Sequence, residues 1–134
     1  FLSNCIAKEL IERCFSVVYL PAVERYEIFA RDRFANDAAD EDRDRSQYLL
    51  ECDLLIIDDL GTEMTNTFVA SQLFLCINER LMNKKSTIIS TNLSLESLRD
   101  LYSERVFSRI SSNFKMRKLI GKDIRLMKKL GEQG

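Results

Sequence analysis

The chain has 134 residues, of which 46% are hydrophobic, and its charges nearly balance, with 20 basic and 21 acidic residues. This length fits one domain with a buried core. Because the sequence contains no histidine, it excludes a Ser/His/Asp triad and histidine-based metal sites. It also shows no membrane-length apolar run and no secretory signal pattern, so we expect a cytoplasmic protein without a membrane partner.

The charges are distributed unevenly along the chain. Residues 37–53 contain seven acids and two arginines, whereas residues 104–134 contain nine basic residues and three acids. We expect a solvated acidic loop at about 37–46 and a basic C-terminal segment at 114–130. The cysteines form no CxxC pair and have apolar neighbours, which predicts four reduced core residues: Cys5, Cys14, Cys52 and Cys76.

In chain order, the sequence first predicts a helix at about 1–14, a strand at 16–20 and a helix at 22–34. No capping residue precedes the first helix, so we expect the sequence to be a truncated or processed segment.

The second half of the chain alternates strands and helices. Two continuous apolar runs, 53–59 and 86–91, predict strands buried on both faces of a parallel sheet. Between them we expect a helix at 66–85, whose apolar stripe comprises Phe68, Leu73, Leu75, Ile77 and Leu81. The rest of the chain is expected to contain short helices at 95–102 and 104–110, a strand at 114–120 and a segment after Gly121. This alternation predicts an α/β fold with a mainly parallel sheet.

The run LLIIDDLGTE places two aspartates at the end of a buried strand. Open parallel sheets bind ligands at the carboxyl ends of their strands, where Asp58, Asp59 and Asn92 would share one edge. One carboxylate there could hold hydrated Mg²⁺, and a second could orient a water that attacks a phosphate. Acids at strand ends also cap turns, so the pair alone leaves both interpretations open.

Four motifs follow one another in the order LLIIDDLGTE, STIISTNLS, SERVFSRISS and GKDIRLMKKL. Together they resemble the DnaC/DnaI/IstB branch of the AAA+ ATPases, which comprises bacterial helicase loaders and transposition helper proteins. The resemblance covers essentially the whole chain. It implies a three-layer parallel-sheet P-loop NTPase core with strand order 5-1-4-3-2, and ATP and Mg²⁺ as cofactors. It further implies a homo-oligomer whose partners are a replicative DNA helicase and single-stranded DNA.

The resemblance also assigns roles to the polar residues at the sheet edge. Asp58 matches the Walker B acid that helps to hold Mg²⁺, and Asp59 matches the acid that polarises the attacking water. Asn92 matches the sensor-one position, where an amide contacts the γ-phosphate or the water. The alternative for Asn92 is that it only ends a strand and caps the next helix.

Three arginines complete the implied site. Arg109 matches an arginine finger that acts on the ATP of a neighbouring subunit, and Arg105 would help it from the same helical face. Arg125 resembles a sensor-two arginine that contacts ATP within its own subunit. Each could instead be a solvated surface residue.

The family pattern includes a G-x-x-x-x-G-K-[ST] loop that the printed sequence does not contain. We therefore expect residues 1–134 to be a partial AAA+ domain that begins just after the Walker A motif and lacks the first strand. The missing strand would lie between the predicted strands 86–91 and 114–120, so its absence would leave backbone groups of both strands unpaired. We expect marginal stability for this segment alone, and weak ATP binding or none.

Two classes of function remain open. The first is a Mg²⁺-dependent ATPase of the helicase-loader type acting in DNA replication, active if the full-length chain supplies the Walker A loop. An IstB-like transposition helper would carry the same motifs. The second class is a truncated, non-catalytic interaction module.

Overall fold

A computed structural model of the chain describes residues 2–21, 47–61 and 67–121, with the backbone alone described for 67–70. The helix expected at 22–34, the acidic loop and the segment after Gly121 lie outside these residues. The helices are α1 (Leu2–Glu12), α2 (Thr67–Met82), α3 (Leu95–Tyr102) and α4 (Glu104–Asn113), and the strands are β1 (Val17–Pro21), β2 (Leu54–Leu60) and β3 (Ser86–Thr91). Residues 47–51 are also helical.

The three strands form a parallel sheet in the order β1-β2-β3. The central strand is therefore the one that carries the two aspartates. In the numbering of the family, the three described strands are the second, third and fourth. Their order, 2-3-4, is the 4-3-2 part of the expected 5-1-4-3-2 sheet read in the opposite direction. The predicted α/β fold with a parallel sheet is confirmed.

Both faces of β2 are buried. Leu55 and Ile57 join the core cluster that includes side chains of α2, α3 and α4, and Leu54 and Ile56, which alternate with them, are buried as well. Since successive strand side chains point to opposite faces, both faces of the sheet are covered. This arrangement is the expected three-layer architecture.

The prediction of a doubly buried β3 was too strong, because its residues after Ser86 are only partly buried. β3 pairs with β2 on one side, and no other strand among the described residues pairs with its second edge. A strand at the edge of a sheet keeps more contact with solvent than a central one.

The buried face of α2 differs from the predicted stripe. Leu73 and Ile77 are buried as expected, but Leu75 is 39% exposed. The face is completed by Cys76 and by the fully buried Arg80. These positions recur at spacings of three and four residues, which is the helical period, and Leu75 lies outside that face.

Arg80 is buried because its guanidinium finds acceptors around it. Nη1 donates to the carbonyl of Leu49 at 2.7 Å, and Nη2 donates to the carbonyls of Cys52 at 3.0 Å and Ser86 at 2.7 Å. Nε donates to Oγ1 of Thr87 at 3.0 Å. The side chain thereby ties α2 to the starts of β2 and β3 and to the helical residues 47–51.

The strand predicted at 114–120 is wrong, because residues 115–121 form neither strand nor helix. Met116, Leu119 and Ile120 are exposed, the last at 85%. A strand is stabilised by pairing with a neighbour, and none of the described residues pairs with this segment.

The prediction for the cysteines is half right. All four are free, but only Cys52 and Cys76 are buried, whereas Cys5 and Cys14 are exposed. No residue of α1 is buried, so apolar neighbours in that helix do not indicate a core position. Over the described ranges, no helix combines the length and apolarity needed to cross a membrane.

Candidate functional site at the carboxyl edge of the sheet

The predicted polar residues of β2 and β3 lie at one edge of the sheet. Asp58 and Asp59 lie near the C-terminal end of β2, and Leu60 pairs with Thr91 at the end of β3. Asn92 therefore follows β3 directly at the same edge. Asp58 is half-buried, and Asp59 and Asn92 are exposed.

Hydroxyl groups from both neighbouring strands hold the Asp58 carboxylate. Tyr19 on β1 donates to Oδ2, and Ser90 on β3 donates to Oδ1. The hydrogen bond from Ser90, followed by that from Tyr19, lowers the pKa of Asp58, while the hydrogen bond to Asp58 raises the pKa of Tyr19. The carboxylate is thus kept ionised and fixed in one orientation at neutral pH.

Asp59 adopts a left-handed backbone conformation with φ of 54°. The pairing register between β2 and β3 shifts here. Ile57 pairs with Ile89 and Leu60 pairs with Thr91, so β2 has one more residue than β3 between these two pairs. Such a bulge interrupts the regular alternation of side chains and re-aims the one at the extra residue. The Asp59 amide donates to Oγ of Ser90 at 3.2 Å, which ties the bulge to β3.

A glycine is required immediately after this bulge. Gly61 has φ of +99°, and a Cβ added there would lie 2.1 Å from the side chain of Leu93. Both the conformation and the close approach exclude a larger residue. The loop leaving β2 is therefore packed against the loop leaving β3.

The interpretation of Asn92 as a helix cap is wrong. The N-cap of α3 is Ser94, whose side chain accepts the Ser97 amide. Thr91, not Asn92, fastens the strand end, because its Oγ1 donates to the Leu60 carbonyl at 2.6 Å and accepts the Leu93 amide at 3.1 Å. Within the described part of the chain, the amide of Asn92 makes no hydrogen bond and is available at the site edge.

Arg105 and Arg109 lie together on α4, as their spacing predicts, and both are exposed. Their guanidinium carbons lie over the ring of Phe74 on α2, at 4.5 Å and 5.9 Å from its centroid. No described contact joins either arginine to Asp58 or Asp59. An open depression of about 420 Å³ surrounds them, lined by Phe74, Glu104, Arg105, Ser108 and Arg109.

Three residues that the sequence analysis missed support the predicted ones: Tyr19, Ser90 and Phe74. Ser90 had a signal, since a hydroxyl inside an apolar strand beside the acidic strand points to a partner there. Tyr19 and Phe74 had none, because aromatic residues in a strand or amphipathic helix are ordinarily core residues. Arg125 lies outside the described residues.

The carboxylate oxygens at the sheet edge fit a hydrated magnesium ion better than a metal coordinated entirely by protein ligands. No group of three Asp, Glu, Cys or His residues that could bind a metal occurs among the described residues. Mg²⁺ prefers carboxylate oxygens and retains most of its waters when it also binds phosphates. The ionised Asp58 carboxylate satisfies that requirement.

One protein-family model matches residues 1–111, and its description is IstB-like ATP binding protein. No curated protein matches the chain in sequence.

Several solved structures resemble the chain. A DNA replication initiation factor matches with a TM-score of 0.66 and 20% identity over 95% of this chain and 37% of its own. The DnaC helicase loader matches with a TM-score of 0.59 and 25% identity over 75% of this chain and 58% of its own. AMPPCP-bound DnaA from Aquifex aeolicus matches with a TM-score of 0.62 and 18% identity over 94% and 39%, respectively. The chain thus spans less than two thirds of each protein, and these similarities establish the P-loop NTPase fold of the AAA+ type.

Proposed function

Since the chain belongs to the family of IstB-like ATP-binding proteins, we propose that it supplies the hydrolytic half of the ATP site in a Mg²⁺-dependent AAA+ ATPase. The observation that carries this proposal is the edge of β2, where hydroxyls from β1 and β3 hold Asp58 and a bulge presents Asp59. A purely structural acid would not require this arrangement of two carboxylates with different exposures.

The two acids have separate tasks in the proposed reaction. Asp58, ionised and fixed, would hold Mg²⁺, and the ion would neutralise charge on the phosphates. Asp59, exposed on the bulge, orients the attacking water and accepts its proton. Asn92 donates its amide to the γ-phosphate or to that water.

The proposed enzyme is a homo-oligomer. Among the described residues, Arg105 and Arg109 contact Phe74 and neither Asp58 nor Asp59. Both arginines are exposed, as groups that reach a neighbouring subunit must be. Arg109 stabilises developing negative charge on the neighbour's phosphates, and Arg105 assists it. Arg125 is proposed to contact the nucleotide of its own subunit.

The cellular role that we propose is helicase loading in DNA replication, in the cytoplasm, with a replicative helicase and single-stranded DNA as partners. The solved DnaC helicase loader, at 25% identity, supports it. The matched family model supports a second candidate, an IstB-like transposition helper. The neighbouring genes distinguish the two: replication genes favour the loader, and an adjacent transposase gene favours the helper.

ATP binding and hydrolysis by the full gene product that contains these 134 residues test the proposal. Asp59→Asn should leave binding of a fluorescent ATP analogue within about twofold and lower the hydrolysis rate by about a hundredfold or more. Asp58→Asn should weaken Mg²⁺-dependent binding, and EDTA should abolish hydrolysis. Asp100→Asn, which changes an exposed acid on α3, is the matched control and should behave as the wild type.

Two results would contradict the proposal. Hydrolysis by Asp59→Asn at the wild-type rate would remove the assigned role of that acid. A full gene product that binds partner protein but hydrolyses no ATP would instead establish the non-catalytic interaction module.

A further inference from the structure

We infer that Phe74 is the positioning residue for Arg105 and Arg109, and that its ring sets the direction in which both guanidinium groups leave the subunit. This inference rests on the proposed function and extends it from the arginines to the helix beneath them. Phe74 belongs to α2, the helix that follows the acidic strand, whereas the arginines belong to α4.

The two arginines need such a support. They are four residues apart on one face of α4, where like charges repel each other. Neither forms an ion pair within the described residues, whose ion pairs are Lys8 with Glu12 and Arg13 with Glu9. Long side chains in that situation sample many rotamers, and fixing them for a reaction costs conformational entropy.

The ring of Phe74 provides a fixed surface for both groups. Phe74 is half-buried, and it packs against the buried core cluster. The face of an aromatic ring attracts cations within about 6 Å of its centroid. The guanidinium carbons at 4.5 Å and 5.9 Å lie inside that range.

A core-anchored ring can thus hold two like charges side by side without neutralising either one. An acidic partner would also orient the arginines, but it would satisfy their charge and compete with a phosphate. A ring leaves the edge of each guanidinium, with its N–H donors, available to an incoming anion. Glu104, which lines the same depression, forms no ion pair with either arginine in the described structure.

A second arginine–ring contact, between α3 and α4, offers a matched control. Arg99 on α3 lies 5.4 Å from the ring centroid of Phe107, and Phe107 also packs against the core cluster. Phe107→Leu therefore removes an aromatic ring, and an arginine contact with it, from the same region without touching Arg105 or Arg109.

The test measures ATP hydrolysis by the full gene product as a function of ATP and of protein concentration. Phe74→Leu should lower kcat by about threefold to tenfold with KM for ATP changed by less than about twofold. Phe74→Tyr, which keeps the ring, should retain the wild-type rate, as should Phe107→Leu. Adding Phe74→Leu to the double variant Arg105→Ala/Arg109→Ala should cause little further loss, because the ring acts through these two arginines.

A second measurement does not depend on activity. In ¹H–¹⁵N spectra, the side-chain Nε–H signals of Arg105 and Arg109 should lose their ring-current shift in Phe74→Leu and keep it in Phe107→Leu. A packing defect alone would instead move backbone amide signals of the core residues around Phe74 and leave the ring-current shifts of Arg105 and Arg109 in place.

The outcomes separate the inference from the proposed function. If the wild type hydrolyses no ATP, or if Arg105→Ala and Arg109→Ala both keep the wild-type rate, the proposed function is wrong and the inference fails with it. If the arginine variants lose activity but Phe74→Leu retains it, or if its effect multiplies with that of Arg105→Ala/Arg109→Ala, only the inference is wrong.

Discussion

A single hydroxyl group organises both acids of the candidate site. Ser90 donates to the Asp58 carboxylate and accepts the Asp59 amide, so it fixes the charge of one residue and the backbone of the next. Tyr19 completes the arrangement from the opposite strand. The sequence located the acids because two aspartates after an apolar run are conspicuous, whereas these hydroxyl partners depend on register between strands far apart in the chain.

Ser90→Ala should raise the pKa of Asp58, because the largest cause of its lowered value is removed. In the wild type the folded-state pKa lies below the unfolded one, so these hydrogen bonds stabilise the fold above about pH 4 and this contribution is lost as pH falls through the folded pKa. The variant should therefore show a smaller loss of stability on acidification. Carboxyl ¹³C titration and denaturation at several pH values measure both effects.

Ser111→Ala serves as the control for this substitution, since Ser111 is exposed and donates, within the described residues, to the Ser108 carbonyl of its own helix. It should leave the titration of Asp58 unchanged. An unaltered Asp58 titration in Ser90→Ala would show that Ser90 does not hold the carboxylate.

At the scale of the elements, the strands were easier to predict than the faces of the helices. The continuous apolar run of β2 identifies a central strand because only burial on both faces permits it. For α2, hydrophobicity placed Leu75 in the core and left Arg80 out, and the structure reverses both. A charged residue becomes a core residue only when acceptors surround it, and the acceptors of Arg80 come from segments that only the tertiary fold brings together.

Arg80→Met should destabilise the protein by about 3 kcal/mol or more, because it removes the hydrogen bonds that Arg80 donates to three backbone carbonyls and one hydroxyl. Arg80→Lys should recover part of that loss, since an ammonium group cannot reach all the acceptors that the planar guanidinium serves. Chemical denaturation followed by circular dichroism measures both free energies of unfolding.

Arg99→Met removes an exposed arginine and should change the free energy of unfolding by less than about 1 kcal/mol. If Arg80→Met cost no more than this control, the buried guanidinium would not be what joins α2 to the sheet.

At the scale of the whole molecule, the candidate site is divided between two surfaces. The acids and Asn92 lie at the sheet edge, and the arginine pair lies on Phe74. The sequence indicated both surfaces, but the wrong strand at 114–120 shows the limit of that reasoning, because pairing depends on a neighbour that local pattern does not reveal. We propose that the two surfaces form one complete site where one subunit meets another.

Mixing two inactive variants tests this division directly. Asp59→Asn lacks the acid but keeps Arg109, and Arg109→Ala lacks the arginine but keeps Asp59. If Arg109 acts on a neighbouring subunit, equal mixing of the full gene products should restore about a quarter of the wild-type hydrolysis, because a random interface pairs an intact acid with an intact arginine with that frequency.

The control for the mixture is the double variant Asp59→Asn/Arg109→Ala combined with wild type at the same total concentration. Interfaces between a wild-type subunit and the double variant are then inactive. The same random pairing again leaves about a quarter of the interfaces intact. Recovery in the first mixture with a matching loss in the second requires that every active site draws on two chains. No recovery, with both single variants inactive, would place Arg109 in the site of its own subunit and would reverse the proposed division of the site.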